Sequence, residues 1–113
     1  MLTALILATM PMSACRIIDG DSIVCNRERI RLLDIDAAET QHARCPAERA
    51  RGDAATAALR RMLGNGMIEI ERHGLDRNNR TLARVRVNGR DVGEAMIASG
   101  HARPYAGGRR PWC

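Results

Sequence analysis

Residues 15–36 read CRIIDGDSIVCNRERIRLLDID, in which three short apolar segments are separated by turn-forming residues. Asp-Gly-Asp follows the first segment and Asn-Arg-Glu follows the second, whereas the third segment alternates arginine with isoleucine or leucine. Both interruptions indicate turns, because glycine tolerates positive φ and aspartate side chains stabilise tight turns. The pattern predicts a meander of three strands, over 15–18, 22–25 and 29–35.

The rest of the chain adds a long helix, two strands and a short helix. Pro46 and the alanine-rich stretch after it predict a helix that ends at Gly64. Alternating residues over 67–72 and 81–87 predict the fourth and fifth strands, and a short helix ending at Gly100 follows. The order βββ-α-ββ-α predicts an all-β barrel with helices (α+β), in the form of a five-stranded OB-fold barrel.

The composition favours a polyanionic partner. A chain of 113 residues is one domain by size, which excludes an enzyme with a separate cofactor domain. All 18 basic residues are arginine, and the net charge of +5 favours nucleic acid or an anionic membrane surface. Tyr105 and Trp112 are the only aromatic residues, which excludes a platform of several aromatic rings for single-stranded bases.

The first 15 residues carry no charged side chain, and their apolar run ends in Ser13-Ala14. We interpret residues 1–14 as a signal peptide cleaved after Ala14, which leaves residues 15–113 as a single domain. The alternative is a native first strand. The apolar run is too short for a transmembrane helix, so we expect a secreted or periplasmic protein that is not inserted in a membrane.

All four cysteines lie in the predicted mature domain, and an even number in a small exported protein predicts two disulfides. Cys15 and Cys25 are each five residues from Gly20, so a hairpin centred on that glycine places them opposite each other. Cys45 and Cys113 then pair by elimination. The spacings contain no C-x-x-C and no paired histidines, so they do not indicate a zinc site.

Four charged segments bring carboxylates and arginines into the predicted barrel. These are DGDS at 19–22, RIRLL at 29–33, DIDAAET at 34–40 and DRNNR at 76–80. Such residues suit phosphodiester hydrolysis, which needs a hard cation on oxygen ligands, a base for water and guanidinium groups on the phosphate. The segments therefore supply the residue types that this reaction needs.

The four segments, in this order, resemble the thermonuclease (staphylococcal nuclease-like) family. Its pattern reads Asp-Gly-Asp-Thr, then Arg-hydrophobic-Arg-Leu, then Ile-Asp-Ala-Pro-Glu, a helix, and Asp-Arg-Tyr-Gly-Arg. The similarity covers residues 15–105, and four motifs in order are far more specific than any one of them. The resemblance implies that Asp21 and Asp36 bind Ca²⁺ together with the backbone carbonyl of Ala37.

The resemblance also implies which side chains act on the substrate. Glu39 would be the general base or water-orienting carboxylate, and Arg31 and Arg80 would clamp the scissile phosphate. Arg77 is a further candidate for substrate binding. Tyr105 has two open roles, because it could stack on a base or fill the small core.

Three departures from the family pattern bear on the loops of the site. Ala38 replaces the family proline, so the loop that carries the acidic residues has lost a fixed φ. Asn78 and Asn79 replace Tyr-Gly, and asparagine tolerates the left-handed φ of such a turn. Asp34 replaces a glycine and adds a carboxylate.

These observations predict a monomeric, Ca²⁺-dependent endonuclease that cuts DNA and/or RNA with low sequence specificity. Two alternatives remain open at this point. The departures could leave a nucleic-acid-binding barrel that no longer cuts. The chain could instead be a disulfide-stapled interaction module whose charge serves anionic surfaces of the cell envelope.

Overall fold

The computed structural model describes residues 6–108 and 110–113, and within these ranges the chain forms nine strands and two α-helices. The elements are β1 (Ile6–Pro11), a 3-10 turn (Met12–Ala14), β2 (Cys15–Asp19), β3 (Ser22–Cys25), β4 (Glu28–Leu32), β5 (Ile35–Asp36), α1 (Pro46–Leu63), β6 (Met67–Leu75), β7 (Thr81–Val87), β8 (Arg90–Asp91), α2 (Val92–Ala98) and β9 (Arg103–Pro104). The five predicted strands and both predicted helices are present in the predicted order.

Seven strands form one mixed sheet, and the remaining two form a small sheet of their own. The order in the large sheet is β1-β6-β7-β4-β3-β2, with β8 on β7, and β5 pairs with β9. Only β4 and β7 run parallel; the other pairs are antiparallel. The sheet curls into a half-barrel with α1 and α2 packed on it, which confirms the α+β, OB-like fold.

The prediction of one continuous strand over 29–35 is wrong. Strand β4 ends at Leu32, and Asp34 adopts a φ of +65° before β5 begins at Ile35. A left-handed residue redirects the chain, so Ile35 pairs with Pro104 of β9 instead of extending β4. The alternation changes phase at Leu32-Leu33, where two apolar residues are adjacent, and the prediction of one strand passed over this interruption.

The predicted signal peptide includes residues 1–5, which lie outside the described residues. Residues 6–11 form β1 and pair antiparallel with β6. Met10 and Met12 pack against the core, as a native first strand would. Cleavage after Ala14 stays a prediction; it would remove β1 and the 3-10 turn and leave β2 complete.

The core lies between the concave face of the sheet and the two helices. Its most buried side chains are Ile30, Leu59, Ile70, Val85 and Met96. At Gly20, a Cβ would lie 2.6 Å from the Cβ of Ala55, so α1 packs directly on the turn between β2 and β3. This close approach requires glycine, and it fixes that turn against the helix.

Both predicted disulfides are present. Cys15 and Cys25 are register partners on β2 and β3, as the symmetry about Gly20 requires. Cys45 is the N-cap of α1 and bonds to Cys113, which is 68 positions away in the sequence. Neither helix in the described part of the chain combines the length and apolar character that crossing a membrane requires.

Candidate functional site

Two buried aspartates lie at the centre of the site. Asp21 belongs to the turn between β2 and β3 and is 4% exposed, and Asp36 of β5 is 2% exposed. Asp21 Oδ2 accepts a hydrogen bond from the backbone N–H of Ala37 at 2.9 Å. This bond joins the β2–β3 turn to the segment that carries Asp36, and so the structure brings the predicted metal-binding residues together.

Arg31 lies beside these carboxylates on β4. Arg31 is the register partner of Ser22, and Ser22 directly follows Asp21 in the sequence. Nη2 of Arg31 lies 3.5 Å from Oδ2 of Asp21. Its Nη1 donates to the carbonyl of Leu32 at 2.8 Å. The guanidinium group is buried and held from two sides, which makes its position well defined.

Burial and neighbouring charges shift the proton affinity of the two aspartates in the β2–β3 turn. Desolvation raises the pKa of Asp21 to about 7; Arg31 opposes this rise, and the carboxylate of Asp19 adds to it. Burial also acts to raise the pKa of Asp19, but hydrogen bonds involving Asp21, Ser22 and Glu39 hold it below its usual value. Asp19 therefore stays ionised more readily than Asp21, whose charged form is disfavoured mainly by burial.

Asp36 has a cationic partner that the sequence did not reveal. Arg103 Nε and Nη2 lie 3.2 and 3.1 Å from Asp36 Oδ2. The guanidinium group stacks 3.8 Å from the ring centre of Trp112 and donates to the carbonyls of Arg110 and Pro111. The C-terminal segment thus supports the arginine that contacts Asp36. Sixty-seven positions separate the pair, and no local motif marks it.

The loop that carries Glu39 is anchored by the first turns of α1. Glu48 is 5% exposed, and it accepts hydrogen bonds from the backbone N–H groups of Glu39 at 3.2 Å and Arg44 at 2.9 Å. At Gly52, a Cβ would lie 2.2 Å from the carbonyl oxygen of Glu39, so only glycine fits there. From sequence alone, Glu48 is an acidic residue in the first turn of a helix, where the helix dipole favours negative charge, and nothing local indicates its contact with the loop.

Arg80 is positioned by the tight loop between β6 and β7. Asp76 Oδ1 accepts from the backbone N–H groups of Asn78 and Arg80, and Asp76 Oδ2 binds Arg80 Nε at 2.8 Å. Although burial acts to raise it, these hydrogen bonds hold the pKa of Asp76 below its usual range. Asn79 has a φ of +61°, so asparagine takes the left-handed position of the family glycine, as expected. Since β7 runs parallel to β4, Arg80 lies at the same end of the sheet as Arg29.

Arg31, Glu39, Arg80 and Tyr105 line one cavity of about 640 Å³. Tyr105 is 43% exposed, so its alternative role in the core is wrong, and its ring centre lies 5.9 Å from the guanidinium carbon of Arg31. Arg77 is exposed, and it lines neither this cavity nor the larger groove beside it, which runs over β2, β3 and β4. The structure therefore gathers four of the five predicted substrate-contacting residues, and substrate binding by Arg77 stays a prediction.

Residues 29–111 match the family described as staphylococcal nuclease homologue. The chain belongs to this family. The match includes the segments that carry Arg31, Asp36, Glu39 and Arg80, and it begins after the segment that carries Asp21. No curated protein matches the chain.

The nuclease-like fold raises the question whether these residues suit Ca²⁺. In residues 6–108 and 110–113, no group of three or more His, Cys, Asp or Glu side chains forms a metal-binding cluster. The available donors are two buried carboxylates, Asp21 and Asp36, and a nearby backbone carbonyl, which are the hard oxygen ligands that Ca²⁺ prefers. Burial is the main cause of the raised pKa of Asp21, and a bound cation would favour its ionised form. The residues therefore fit a Ca²⁺ site with few protein ligands.

Proposed function

We propose that the protein is a Ca²⁺-dependent endonuclease that hydrolyses phosphodiester bonds of DNA and RNA with low sequence specificity. The observation that carries this proposal is the single cavity lined by Arg31, Glu39 and Arg80, next to the buried Asp21 and Asp36. A base and two phosphate-binding arginines beside oxygen donors are what this reaction needs. Membership of the staphylococcal nuclease homologue family supports it.

Asp21, Asp36 and the backbone carbonyl of Ala37 would hold the metal. When bound, Ca²⁺ supplies Lewis-acid stabilisation of negative charge on a phosphate oxygen. Asp21 must be ionised for this role. Arg31, at 3.5 Å, favours the ionised form against the opposing effect of burial.

Glu39 orients a water molecule and accepts its proton as the water attacks phosphorus. Arg31 and Arg80 bind the non-bridging oxygens, where negative charge grows in the pentacoordinate transition state. Nε of Arg80 donates a hydrogen bond to Asp76. The two terminal nitrogens of Arg80 take part in no hydrogen bond among the described residues. Each arginine is thereby oriented by the protein and presents a planar donor group to the phosphate.

Low sequence specificity follows from the contacts available to the substrate. Arginines contact the backbone phosphates that every nucleotide carries, whereas base recognition needs stacking or edge contacts. Tyr105 is the one aromatic side chain in the cavity, and it can stack on any base. We therefore expect similar cleavage of many sequences and a steep dependence on salt.

The structure favours cleavage over the alternative of a barrel that only binds. Ala38 is buried, and its loop is held by Glu48 and Gly52, so anchoring by the helix replaces the rigidity of the family proline. Asp76 and Asn79 maintain the turn that presents Arg80. The departures at Ala38 and at Asn78-Asn79 are thus compensated by named contacts.

We further propose a secreted or periplasmic monomer. Two disulfides in so small a domain are typical of proteins that function in an oxidising compartment. The alternative of an envelope interaction module shares these features. It differs in predicting no hydrolysis and no Ca²⁺ binding.

The test is cleavage of closed-circular DNA, single-stranded DNA and RNA in the presence of Ca²⁺ or a Ca²⁺ chelator. We expect all three to be cut only with Ca²⁺, and circular DNA to be nicked, since internal cleavage needs no free end. Glu39→Gln, with an unchanged melting temperature, is the matched inactive control. Binding without cleavage would support the non-cutting barrel, and neither binding nor cleavage would support the envelope module.

A further inference from the structure

A second groove, of about 840 Å³, runs over the outer face of β2, β3 and β4. Glu39 and Arg80 line both this groove and the cavity that contains Arg31. A phosphodiester held between these two side chains therefore lies at a junction between two cavities. The polynucleotide can continue into a cavity on either side of the cut.

The strand register places arginines along the groove. Arg16 pairs with Val24, and Val24 pairs with Arg29, so these three side chains form one row on one face of the sheet. Arg31 lies two residues after Arg29 on β4 and belongs to the same face. Two residues advance ~6.6 Å along a strand, so this row lies directly beside the candidate phosphate clamp.

Three arginines of the groove, Arg16, Arg27 and Arg29, have no carboxylate partner among the described residues. The ion pairs of arginine in this part of the chain involve Arg31, Arg103 and arginines of β6, β7 and the loop between them, including Arg80. The positive charges of Arg16, Arg27 and Arg29 are therefore not offset by a carboxylate within ion-pair distance. Arg29 donates to the backbone carbonyl of Asn78, which places it against the loop of Arg80.

Arg27 occupies a strained backbone position at the rim of the groove. Asn26 and Arg27 form the turn between β3 and β4 with φ values of +48° and +69°. Two positive φ values are typical of a type I′ turn, in which glycine is favoured at the second position. Arginine there costs stability, on the order of 1 kcal/mol, and adds a cation to the groove lining.

We propose that this groove binds the polynucleotide strand beside the scissile phosphate, with Arg16, Arg27 and Arg29 on neighbouring backbone phosphates. The proposal rests on the proposed nuclease function and specifies its substrate as a chain of several nucleotides. A dinucleotide fills only the junction, whereas a longer strand gains phosphate contacts in the groove. The enzyme should therefore prefer long substrates.

The test compares wild-type protein with the double variant Arg16→Gln/Arg27→Gly. Arg29 is kept because it contacts the loop of Arg80. We measure kcat/KM for a 16-nucleotide thymidine strand and for the thymidine dinucleotide, and we take their ratio. The ratio should fall roughly tenfold in the variant, mainly through KM for the long strand. Arg27→Gly should leave the melting temperature unchanged or raise it. If Arg27 had a structural role, the melting temperature would fall instead.

The matched control is Arg60→Gln/Arg61→Gln, which removes two exposed charges from α1, outside both cavities. Its ratio should equal that of wild type. An unchanged ratio in Arg16→Gln/Arg27→Gly, or an equal fall in the control, would overturn the proposal.

Binding gives a readout that does not depend on cleavage. Fluorescence anisotropy of the labelled 16-nucleotide strand, in a Glu39→Gln background, yields the slope of log affinity against log salt. Loss of two phosphate contacts should reduce this slope by about 1.4, at about 0.7 per contact for single strands. If no substrate of any length is cut, the proposed nuclease function is wrong. If the slope of log affinity against log salt is the same with and without Arg16→Gln/Arg27→Gly, the proposed role of the groove is wrong.

Discussion

Glu48 Oε2 accepts a hydrogen bond from the backbone N–H of Glu39 at 3.2 Å, so α1 directly holds the loop of the candidate base. The same carboxylate binds the backbone N–H of Arg44. A buried carboxylate that receives two backbone donors is a stronger restraint than a proline in the loop, because it fixes two points of the backbone.

Replacing Glu48 by Gln should lower kcat about tenfold with little change in KM. A glutamine side chain has only one acceptor oxygen, so its amide NH₂ group would face one of the two backbone N–H donors that Glu48 binds. Two donors cannot form a hydrogen bond with each other. We also expect a loss of about 1–3 kcal/mol in unfolding free energy. Asp53→Asn, an exposed position of α1, is the matched control and should change neither kcat nor stability. An equal change in KM and kcat would mean that Glu48 acts on substrate binding and not on the position of Glu39.

Arg31→Lys, Arg80→Lys and Glu39→Gln should each reduce kcat on the order of 10²-fold or more, with the fold intact. Lysine keeps the charge but lacks the planar group that binds two phosphate oxygens at once. Steady-state kinetics and melting temperatures check this. Wild-type kcat in both lysine variants would remove the phosphate-clamp assignment.

Asp21→Asn should stabilise the Ca²⁺-free protein above pH 7. The pKa of Asp21 is raised from 3.8 to about 7, so the folded state binds this proton more tightly than the unfolded state does. Its contribution to stability is therefore present below pH 4 and is lost as the pH rises towards 7. The gain in the variant is on the order of 2–4 kcal/mol. Asparagine keeps the acceptor for the Ala37 N–H, and thermal unfolding from pH 4 to 8 in a chelator measures the difference.

Ca²⁺ should reverse this order of stability. Wild-type protein should gain melting temperature as Ca²⁺ is added, and Asp21→Asn should gain less, because it has lost one charged oxygen ligand. High Ca²⁺ should also restore part of the activity of the variant. Equal stabilisation of both proteins at every Ca²⁺ concentration would contradict the assignment of Asp21 as a ligand.

Glu28→Gln should destabilise the protein at neutral pH and have little effect in acid. Hydrogen bonds from Arg72, and also from Thr81, hold the pKa of Glu28 below its ordinary value of 4.5. The stabilisation is therefore present above about pH 4.5 and is lost as the pH falls through the lower pKa of the folded state. Urea unfolding at several pH values tests this. Glu69→Gln, a more exposed partner of Arg86, is the control and should show a smaller dependence.

The double replacement Cys45→Ser/Cys113→Ser should cost about 4 kcal/mol of stability, because the bond closes a long loop in the unfolded chain. It should also change Ca²⁺ affinity, because Trp112 stacks on the arginine whose positive charge contacts Asp36. Calorimetric titration with Ca²⁺ measures the second effect. An unchanged Ca²⁺ affinity would mean that the C-terminal segment does not influence the metal site.

The local parts of the fold were predictable because short-range rules decide them. The symmetry of Cys15 and Cys25 about Gly20 gave the hairpin and its disulfide, and proline and glycine gave the bounds of α1. The bend at Asp34 was missed, although the adjacent apolar residues Leu32 and Leu33 interrupt the alternation just before it. The left-handed φ of Asp34 itself is visible only in the structure.

The supporting contacts of the site could not be predicted because they join distant segments. Arg103 reaches Asp36 across 67 positions, and its stacking on Trp112 depends on where the Cys45–Cys113 bond places the tail. Glu48 sat at a recognised helix start, but its role arises from the path of the preceding loop. Motifs identify the reactive side chains, whereas tertiary packing decides what orients them.

The two disulfides divide the chain into two covalent rings, 15–25 and 45–113, joined by residues 26–44. Asp21 lies in the first ring, Arg80 in the second, and Arg31 and Glu39 in the connecting segment. A protease that cuts once inside either ring leaves both new ends attached to one molecule. Within residues 15–113, only a cut in the segment 26–44 splits the chain in two, and much of that segment is protected by strand pairing and burial. After a single cut by a trypsin-like protease at any arginine of either ring, the protein thus remains one covalent molecule.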